Sequence, residues 1–185
     1  MNRGHAVLCS SRRWATFIQS EVLPVALDGR QVTDATLEIG PGYGAATEWL
    51  SARCPELSAV EVDPKLAARL ARRYPDVKVS RCSAERLPYE DRSFSSAFCF
   101  TMLHHVHTPA AQNAIFAETH RVLRPGAAFV GSDSIASAGL RAFHHHDVYT
   151  PVDPQTLADR LEVAGFVDVS VRVMDDWFAF SAIAA

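Results

Sequence analysis

The sequence predicts an α/β fold built on a mostly parallel, doubly wound β-sheet. Short apolar runs alternate with segments of helical periodicity between residues 34 and 133, and strands that alternate with helices form parallel sheets covered on both faces. The two final apolar runs are separated only by a turn at Asp175 and Asp176, which predicts an antiparallel C-terminal strand at the edge of the sheet. A length of 185 residues suits a single domain with its own core.

Seven strands and four helices are predicted in order along the chain. The strands are expected at residues 34–39, 57–62, 77–81, 95–100, 127–132, 167–173 and 177–183. The helices are expected at residues 44–53, from Pro64 onward, at 110–122 and at 157–164. Two of them have a clear start signal, because Asp63 and Asp153 can cap the first turn and the proline that follows each one suits the first helical position.

A further helix is predicted before the first strand. Trp14, Phe17, Ile18 and Val22 recur at helical spacing and share one face. That face packs against the edge of the sheet in one interpretation. In the other, the helix covers a ligand as a lid, since a chain of this length has little else with which to enclose a substrate. Residues 1–30 are therefore assigned to an N-terminal helical lid.

Composition excludes several classes of protein. A net charge of -3 and a pI near 6.2 give no basic surface of the kind that binds nucleic acid, so we expect no nucleic acid partner. No apolar run approaches the roughly 20 residues needed to cross a bilayer, and the N-terminus does not resemble a signal peptide. The four cysteines lack metal-site or redox spacing and are interpreted as reduced. We expect a cytoplasmic protein with a small-molecule substrate, and the sequence leaves its oligomeric state open.

The turn after the first strand is the place to search for a ligand site, because ligands of open parallel sheets bind beyond the carboxyl ends of the strands. It reads Gly40-Pro41-Gly42-Tyr43-Gly44. The spacing of Gly40, Gly42 and Ala45 also fits a dinucleotide site, so it cannot by itself separate a nicotinamide cofactor from S-adenosylmethionine. Glu38 favours the latter, since a carboxylate attracts the ammonium of a methionine moiety and would repel a pyrophosphate.

The second strand ends in another acid. Glu61 follows Gly44 by 17 residues, and a carboxylate at that strand end can accept hydrogen bonds from both hydroxyls of a ribose. Asp63 is a competing candidate, but it precedes a proline and a helix and is better explained as the helix cap. We therefore predict that Glu61 binds an adenosine ribose.

The chain resembles the class I methyltransferases, and in particular the small-molecule group that includes ubiquinone and menaquinone biosynthetic enzymes. The resemblance rests on four blocks in order: LEIGPGYG from Leu37, AVEVDP from Ala59, SAERLPYEDRSF from Ser83 and HRVLRPG from His120. It implies a Rossmann-like fold and transfer of a methyl group from S-adenosylmethionine to an oxygen or nitrogen atom of a small molecule. It also implies that residues 34–133 form the cofactor-binding core and residues 134–185 the substrate-side loop, helix and hairpin.

Carried onto these positions, the resemblance implies a cofactor site that runs along the strand ends. The methionine part lies at Glu38 and the backbone of the glycine loop, the ribose at Glu61 and the adenine beside Val62. The full predicted set is Glu38, Gly40, Pro41, Gly42, Gly44, Glu61, Val62, Ser83, Ala84 and Thr101. Ser83 departs from the family, which usually has an aspartate there, and a serine hydroxyl without charge assistance predicts weaker cofactor binding. Ser95 likewise replaces an aspartate.

The glycine loop also looks like that of ribosomal RNA adenine methyltransferases. Enzymes that methylate a base amine usually carry an Asn/Asp-Pro-Pro-aromatic sequence after the fourth strand, whereas this chain has residues 100–105, FTMLHH. The sequence therefore favours a small-molecule acceptor. Two alternatives remain: a non-methylating protein that retains the fold, favoured by Ser83 and Ser95, and a nicotinamide oxidoreductase.

Histidines follow the fourth strand at the expected ligand end of the sheet. His104 or His105 is predicted to take a proton from the acceptor or to orient it, since a neutral imidazole suits proton transfer near pH 7. The run His144-His145-His146-Asp147 could suggest a metal site, but neighbouring side chains in an extended segment point apart. We expect no metal, and interpret that run as substrate-pocket lining, with Asp147 and Tyr149, or as a solvated loop.

Overall fold

A computed structural model describes residues 2–185 and contains one seven-stranded sheet with the order β3-β2-β1-β4-β5-β7-β6. All neighbouring strands run parallel except at β7, which is antiparallel to both β5 and β6. The strands are β1 (Ala35–Ile39), β2 (Glu56–Val60), β3 (Lys78–Ser80), β4 (Phe94–Phe100), β5 (Leu123–Ser134), β6 (Phe166–Val173) and β7 (Trp177–Ala184). The doubly wound, Rossmann-like fold class predicted from the sequence is confirmed.

Eight α-helices connect and cover these strands in the described part of the chain. They are α1 (Arg3–Cys9), α2 (Arg12–Phe17), α3 (Leu23–Leu27), α4 (Thr47–Ser51), α5 (Pro64–Arg73), α6 (Pro109–Val122), α7 (Ala138–Phe143) and α8 (Pro154–Val163). The two predicted caps form: Asp63 accepts hydrogen bonds from the backbone amides of Lys65 and Leu66, and Asp153 accepts one from Gln155. The helix predicted at 44–53 is shorter, because residues 42–46 form turns before α4 begins.

The predicted position of the last strand is wrong in one respect. β7 does not lie at the edge; it is inserted between β5 and β6, and β6 is the edge strand. The burial pattern gives the reason. Residues 178–182 of β7 are all buried, whereas β6 alternates between exposed residues at 168, 170 and 172 and half-buried residues at 169 and 171. A strand buried on both faces is continuously apolar, and a half-buried edge strand alternates.

The core is divided by the sheet into two layers. One face packs α6 and α8 against the sheet through Phe116, Phe129 and Phe166, and the other packs the N-terminal helices and α4 through Ile18, Leu50 and others. The strands approach closely at Gly131 of β5, where an added Cβ would lie 2.3 Å from the carbonyl oxygen of Cys99 and 2.4 Å from the Phe180 ring. Only glycine therefore fits at this position.

The N-terminus contains more helix than predicted. α1 is separate, and α2 continues through a π-turn at Ile18–Val22 into α3. Proline at position 24 cannot donate a backbone hydrogen bond, and Leu23 before it bonds instead to the carbonyl of Ile18 in the wider π pattern. Ile18 and Val22 are buried as predicted, whereas Trp14 and Phe17 are half-buried. None of the helices in residues 2–185 is both long and apolar enough to span a membrane.

Candidate active site

A cavity of about 390 Å³ opens at the carboxyl ends of β1, β2 and β4. In the sheet, β1 lies between β2 and β4. The chain progresses from β1 to β2 and β3 in one direction and from β4 to β5 in the other, so the cavity lies where the strand order reverses. A ligand crevice is expected there in doubly wound sheets, and the volume suits a small organic molecule. Its lining brings together nearly all of the predicted site: Glu38, Gly40, Pro41, Gly42, Glu61, Val62, Ser83, Ala84, Thr101 and His105.

The glycines of the loop have different structural roles. Gly40 has a φ of +63°, and a Cβ there would lie 2.2 Å from Cγ of Met102, so the close approach of the loop to the end of β4 requires glycine. Gly42, at φ +57°, faces open space. Gly44 was predicted in the cofactor site but lies behind the cavity lining, where an added Cβ would lie 3.0 Å from Tyr74. It therefore serves the packing of α5 against the loop.

Glu38 is a buried carboxylate on the cavity wall. Its side chain is only 2% exposed, and Oε2 accepts a 2.7 Å hydrogen bond from Oγ1 of Thr47. Burial raises the pKa of Glu38 to about 7; the Thr47 hydrogen bond opposes this effect and the carboxylate of Glu61 adds to it. A carboxylate held this way gains most from a positively charged ligand, because the ion pair offsets the cost of burying its charge.

Glu61 ties the glycine loop to the end of β2. Its Oε2 accepts a hydrogen bond from the Gly42 amide at 3.0 Å, and Oε1 accepts one from the Asp63 amide at 2.9 Å. Burial raises its pKa, and these backbone hydrogen bonds oppose the shift. Each carboxylate oxygen has a second lone pair, so Glu61 can hold the loop and still accept from ligand hydroxyls.

The part of the cavity wall around Ser83 contains an acid, Glu85, that was not predicted from the sequence. The hydroxyl of Ser83 donates to Oε1 of Glu85 at 3.3 Å and accepts a hydrogen bond from the Glu85 amide. Glu85 also lines the cavity. A carboxylate is therefore present two residues after the position where the family usually has aspartate. The sequence signal for it was the acid Glu85 close to Ser83.

Thr101, at the end of β4, has a left-handed backbone conformation with φ +50°. This conformation is strained for a β-branched residue. The amide of Thr101 donates to the carbonyl of Ser132 at 2.8 Å, which holds the strand end to β5 while the chain turns sharply toward Met102. The turn brings Thr101, Met102 and His105 to the cavity wall.

The two candidate catalytic histidines face different surroundings. His104 is buried behind the cavity lining, and its Nδ1 lies 2.5 Å from Oδ1 of the fully buried Asp133. His105 lines the cavity. Burial lowers the pKa of His105 to about 2, and the neighbouring imidazoles of His104, His5 and His144 lower it further. His105 is therefore uncharged at neutral pH and is a weak base.

Residues of the N-terminal helices form one part of the cavity wall. Cys9, Trp14 and Ile18 line the cavity on this side. Burial raises the pKa of Cys9 to about 11, so its thiol remains protonated at neutral pH. Asp147 and Val148 line the cavity beside His105, whereas Tyr149 lies outside the lining.

Comparison with protein families gives a match over residues 37–131 to a family described as a methyltransferase domain. The curated relatives include ribosomal RNA small subunit methyltransferase A of Bordetella avium, 46% identical over 63 residues, which are 34% of this chain and 24% of the relative. That of Chlorobium limicola is 46% identical over 55 residues, which are 30% of this chain and 21% of the relative. The chain thus matches less than a quarter of the length of each.

Solved structures share the whole fold at low sequence identity. A protein from Pyrococcus horikoshii superposes with a TM-score of 0.82 at 14% identity, and a SAM dependent methyltransferase from Aquifex aeolicus with 0.76 at 18%; both alignments cover 100% of each chain. Phosphoethanolamine N-methyltransferase 2 of Haemonchus contortus, solved with phosphomonomethylethanolamine and S-adenosylhomocysteine, has a TM-score of 0.73 at 15% identity. That alignment covers 88% of this chain and 51% of the other.

Proposed function

We propose that this chain, which belongs to the methyltransferase domain family, transfers a methyl group from S-adenosylmethionine to an oxygen or nitrogen atom of a small molecule. The proposal is supported by the N-terminal part of the cavity wall, which is formed by Cys9, Trp14 and Ile18. A cavity walled on this side suits a compact molecule better than a base held in a folded nucleic acid. The net charge of -3 also favours an acceptor other than a polyanion.

The cavity fits the chemistry of the cofactor part by part. Glu38 would hold the ammonium group, and the backbone of Gly40 and Gly42 would lie along the methionine part, where Gly42 leaves open space. Glu61 would accept from the ribose hydroxyls. Val62, Ser83 and Ala84 would surround the adenine, with Glu85 supplying the charge that Ser83 lacks.

The chemistry that S-adenosylmethionine supplies when bound is an electrophilic methyl group on a sulfonium. The residues of the chain contribute mainly alignment, because an in-line displacement requires the attacking atom about 3 to 3.5 Å from its target. His105, at the cavity wall, would orient the acceptor through a ring nitrogen. A weak base of this kind suits hydrogen bonding better than proton storage, so an acceptor that must lose a proton would pass it on to solvent.

His104 is proposed as a positioning residue. Its Nδ1 contact with Asp133 fixes the ring, and its backbone amide donates to Oδ2 of the same carboxylate at 3.1 Å. These two contacts hold the short 3₁₀ turn at Leu103–His105 against β5 and thereby set the direction of His105.

The three parts of the chain divide this work. We propose the N-terminal residues up to 30 as the lid, residues 34–133 as the cofactor-binding core and residues 134–185 as the substrate side. The lid is supported by the presence of Cys9, Trp14 and Ile18 in the cavity wall, and the substrate side by Asp147 and Val148 in the same lining.

The decisive experiment measures release of S-adenosylhomocysteine from S-adenosylmethionine. The purified protein is tested with a panel of phenols, carboxylic acids and amines. Ribosomal RNA is tested in parallel, because the curated relatives are named as ribosomal RNA methyltransferases. Turnover with a panel compound and none with RNA is the expected result. Turnover with RNA alone would refute the small-molecule assignment.

Variants of the two acids at opposite ends of β2 provide the test and its control. Glu61→Gln replaces one of the two acceptor oxygens with an amide donor and removes the charge, and we expect cofactor binding about 10- to 100-fold weaker. Glu56→Gln changes an exposed acid at the opposite end of β2 and should bind like wild type. Cofactor binding by wild type without turnover of any acceptor, RNA included, would favour the non-methylating alternative.

A further inference from the structure

Four histidines from three separate segments converge beside the cavity. They are His5 on α1, His104 and His105 in the turn after β4, and His144 at the end of α7, and one nitrogen from each lies within 4.8 Å of the others. His5, His104 and His144 are buried, at 3 to 4% exposure. We refer to these four residues as the histidine cluster. No metal site was predicted from the sequence, because neighbouring histidines in a run do not converge on one ion. Of the run 144–146, only His144 belongs to the cluster, and His145 and His146 are exposed.

Two of the rings are held as metal ligands usually are. Nδ1 of His104 lies 2.5 Å from the carboxylate of Asp133, and Nδ1 of His144 lies 2.8 Å from the carbonyl oxygen of Leu140. Histidines that bind metals almost always donate one ring N–H to a carboxylate or carbonyl, which fixes the ring and leaves the lone pair of the other nitrogen for the ion. The opposite nitrogens of His104 and His144 are therefore prepared as ligands.

The cluster also contains buried nitrogens with unmet hydrogen-bonding capacity. Within residues 2–185, Nε2 of His144 is buried and has no hydrogen-bond partner, and Nδ1 of His5 is buried with a long contact of 3.4 Å to Oδ2 of Asp147. Buried polar atoms are nearly always well paired, so one unpaired and one weakly paired nitrogen in the same group of rings require an explanation. A bound cation would satisfy them.

We propose that the histidine cluster binds a divalent transition metal ion, with zinc as the best fit. Four imidazoles suit zinc, which prefers tetrahedral nitrogen and sulfur ligands. Tetrahedral Zn–N bonds of about 2.0–2.1 Å place the nitrogens about 3.3 Å apart, so closing the cluster from its present spacing requires shifts on the order of 1 Å per ring. The carboxylate of Asp133 and that of Asp147, close to His5, offset the charge of the ion.

The site would fasten the N-terminal wall to the rest of the cavity. Its ligands join α1 to the turn after β4 and to the end of α7. Asn2, the N-cap of α1, already contacts the segment around α7: its backbone amide donates to Asp147 at 2.9 Å, and its side-chain amide donates to the Phe143 carbonyl at 2.7 Å. His105 can ligate with one nitrogen and keep the other for the cavity. The ion would therefore hold the wall in place at the end of the cavity proposed for the acceptor.

Metal content and metal-dependent stability of untagged protein test this inference without any cofactor or acceptor, so its failure is separate from failure of the proposed function. We expect about one zinc ion per chain, and we expect added Zn²⁺ to raise the Tm of chelator-treated protein. His5→Ala and His144→Ala should each bind Zn²⁺ at least 100-fold more weakly. His145→Ala, which removes an exposed histidine next to the cluster, should bind like wild type.

The wild-type measurement decides even if a cluster variant fails to fold. Zinc below a tenth of an equivalent in the purified protein, together with no rise in Tm when Zn²⁺ is added to chelator-treated protein, would show a packed group of histidines only and overturn the inference. Loss of zinc from His145→Ala to the same degree as from His5→Ala would also overturn it, because binding would then be at the surface run.

Discussion

Replacing Glu38 with glutamine should stabilise the protein and weaken its cofactor binding, and both effects should depend on pH. The usual carboxyl pKa of 4.5 is raised by burial to about 7 in the folded chain. The folded protein therefore holds a proton that the unfolded chain has released between these two pH values, and stability falls as pH rises through this window. At about 1.4 kcal/mol for each factor of ten, the cost of the ionised form above pH 7 is about 3 kcal/mol.

Chemical denaturation from pH 4.5 to 8 measures this cost directly. We expect Glu38→Gln and wild type to have similar free energies of unfolding near pH 4.5, with the variant more stable by up to about 3 kcal/mol above pH 7. Thr47 can still donate its hydroxyl to the glutamine amide oxygen, so the packing around position 38 is retained. Glu56→Gln, an exposed change on the neighbouring strand, is the control.

Cofactor affinity should change in the opposite direction. Calorimetry with S-adenosylhomocysteine should show wild-type affinity increasing about tenfold per unit between pH 5.5 and 7, as Glu38 ionises to meet the ligand ammonium. Glu38→Gln should bind about 10- to 100-fold more weakly at pH 7.5 and show little dependence on pH. Parallel stability curves for the two proteins, or equal affinities at pH 7.5, would refute the assignment of Glu38.

Three further changes test other parts of the site and fold. Gly40→Ala should lower the free energy of unfolding by about 1 to 2 kcal/mol more than Gly42→Ala, since both have positive φ but only the first meets Met102; equal losses in denaturation would contradict the close approach. Glu85→Gln should weaken binding of S-adenosylhomocysteine about fivefold to tenfold by calorimetry, whereas an unchanged affinity would remove Glu85 from the adenine end. Gly131→Ala should cost more than about 3 kcal/mol or prevent folding, because its Cβ meets backbone at 2.3 Å, and a soluble variant with wild-type Tm would disprove this reasoning.

Most of the fold could be read from the sequence because its strands and helices have strong local signals. The caps at Asp63 and Asp153 predict the starts of α5 and α8, and the apolar run predicts β4. The observed ends of the elements differ by a few residues from those predicted. The place of β7 was missed because a turn between two strands predicts that they pair, without predicting which of them reaches the edge. The run of small and aromatic residues at 178–182, which Ser181 alone interrupts, was the signal that could have placed β7 inside the sheet.

The candidate site was predictable where it follows one strand end and less so where several segments meet. Glu38, Gly40 and Glu61 come to one cavity because parallel strands present their carboxyl ends together. Gly44 was grouped with them through the family resemblance, and in the structure it packs against Tyr74 and Leu70. The approach of His5 to His104 spans 99 positions and joins α1 to the turn after β4, and no local pattern encodes such a meeting.

The insertion of β7 between β5 and β6 also sets the order in which the sheet can assemble. In the described sheet, β6 pairs only with β7. One edge of β5 therefore stays unpaired until residues 177–184 have been synthesised. During translation, β5 therefore leaves the ribosome with one edge unprotected, and the apolar segment at residues 127–130 makes that edge able to pair with other chains. Substitutions that slow the docking of β7 would thus reduce the yield of soluble protein more than its stability once folded.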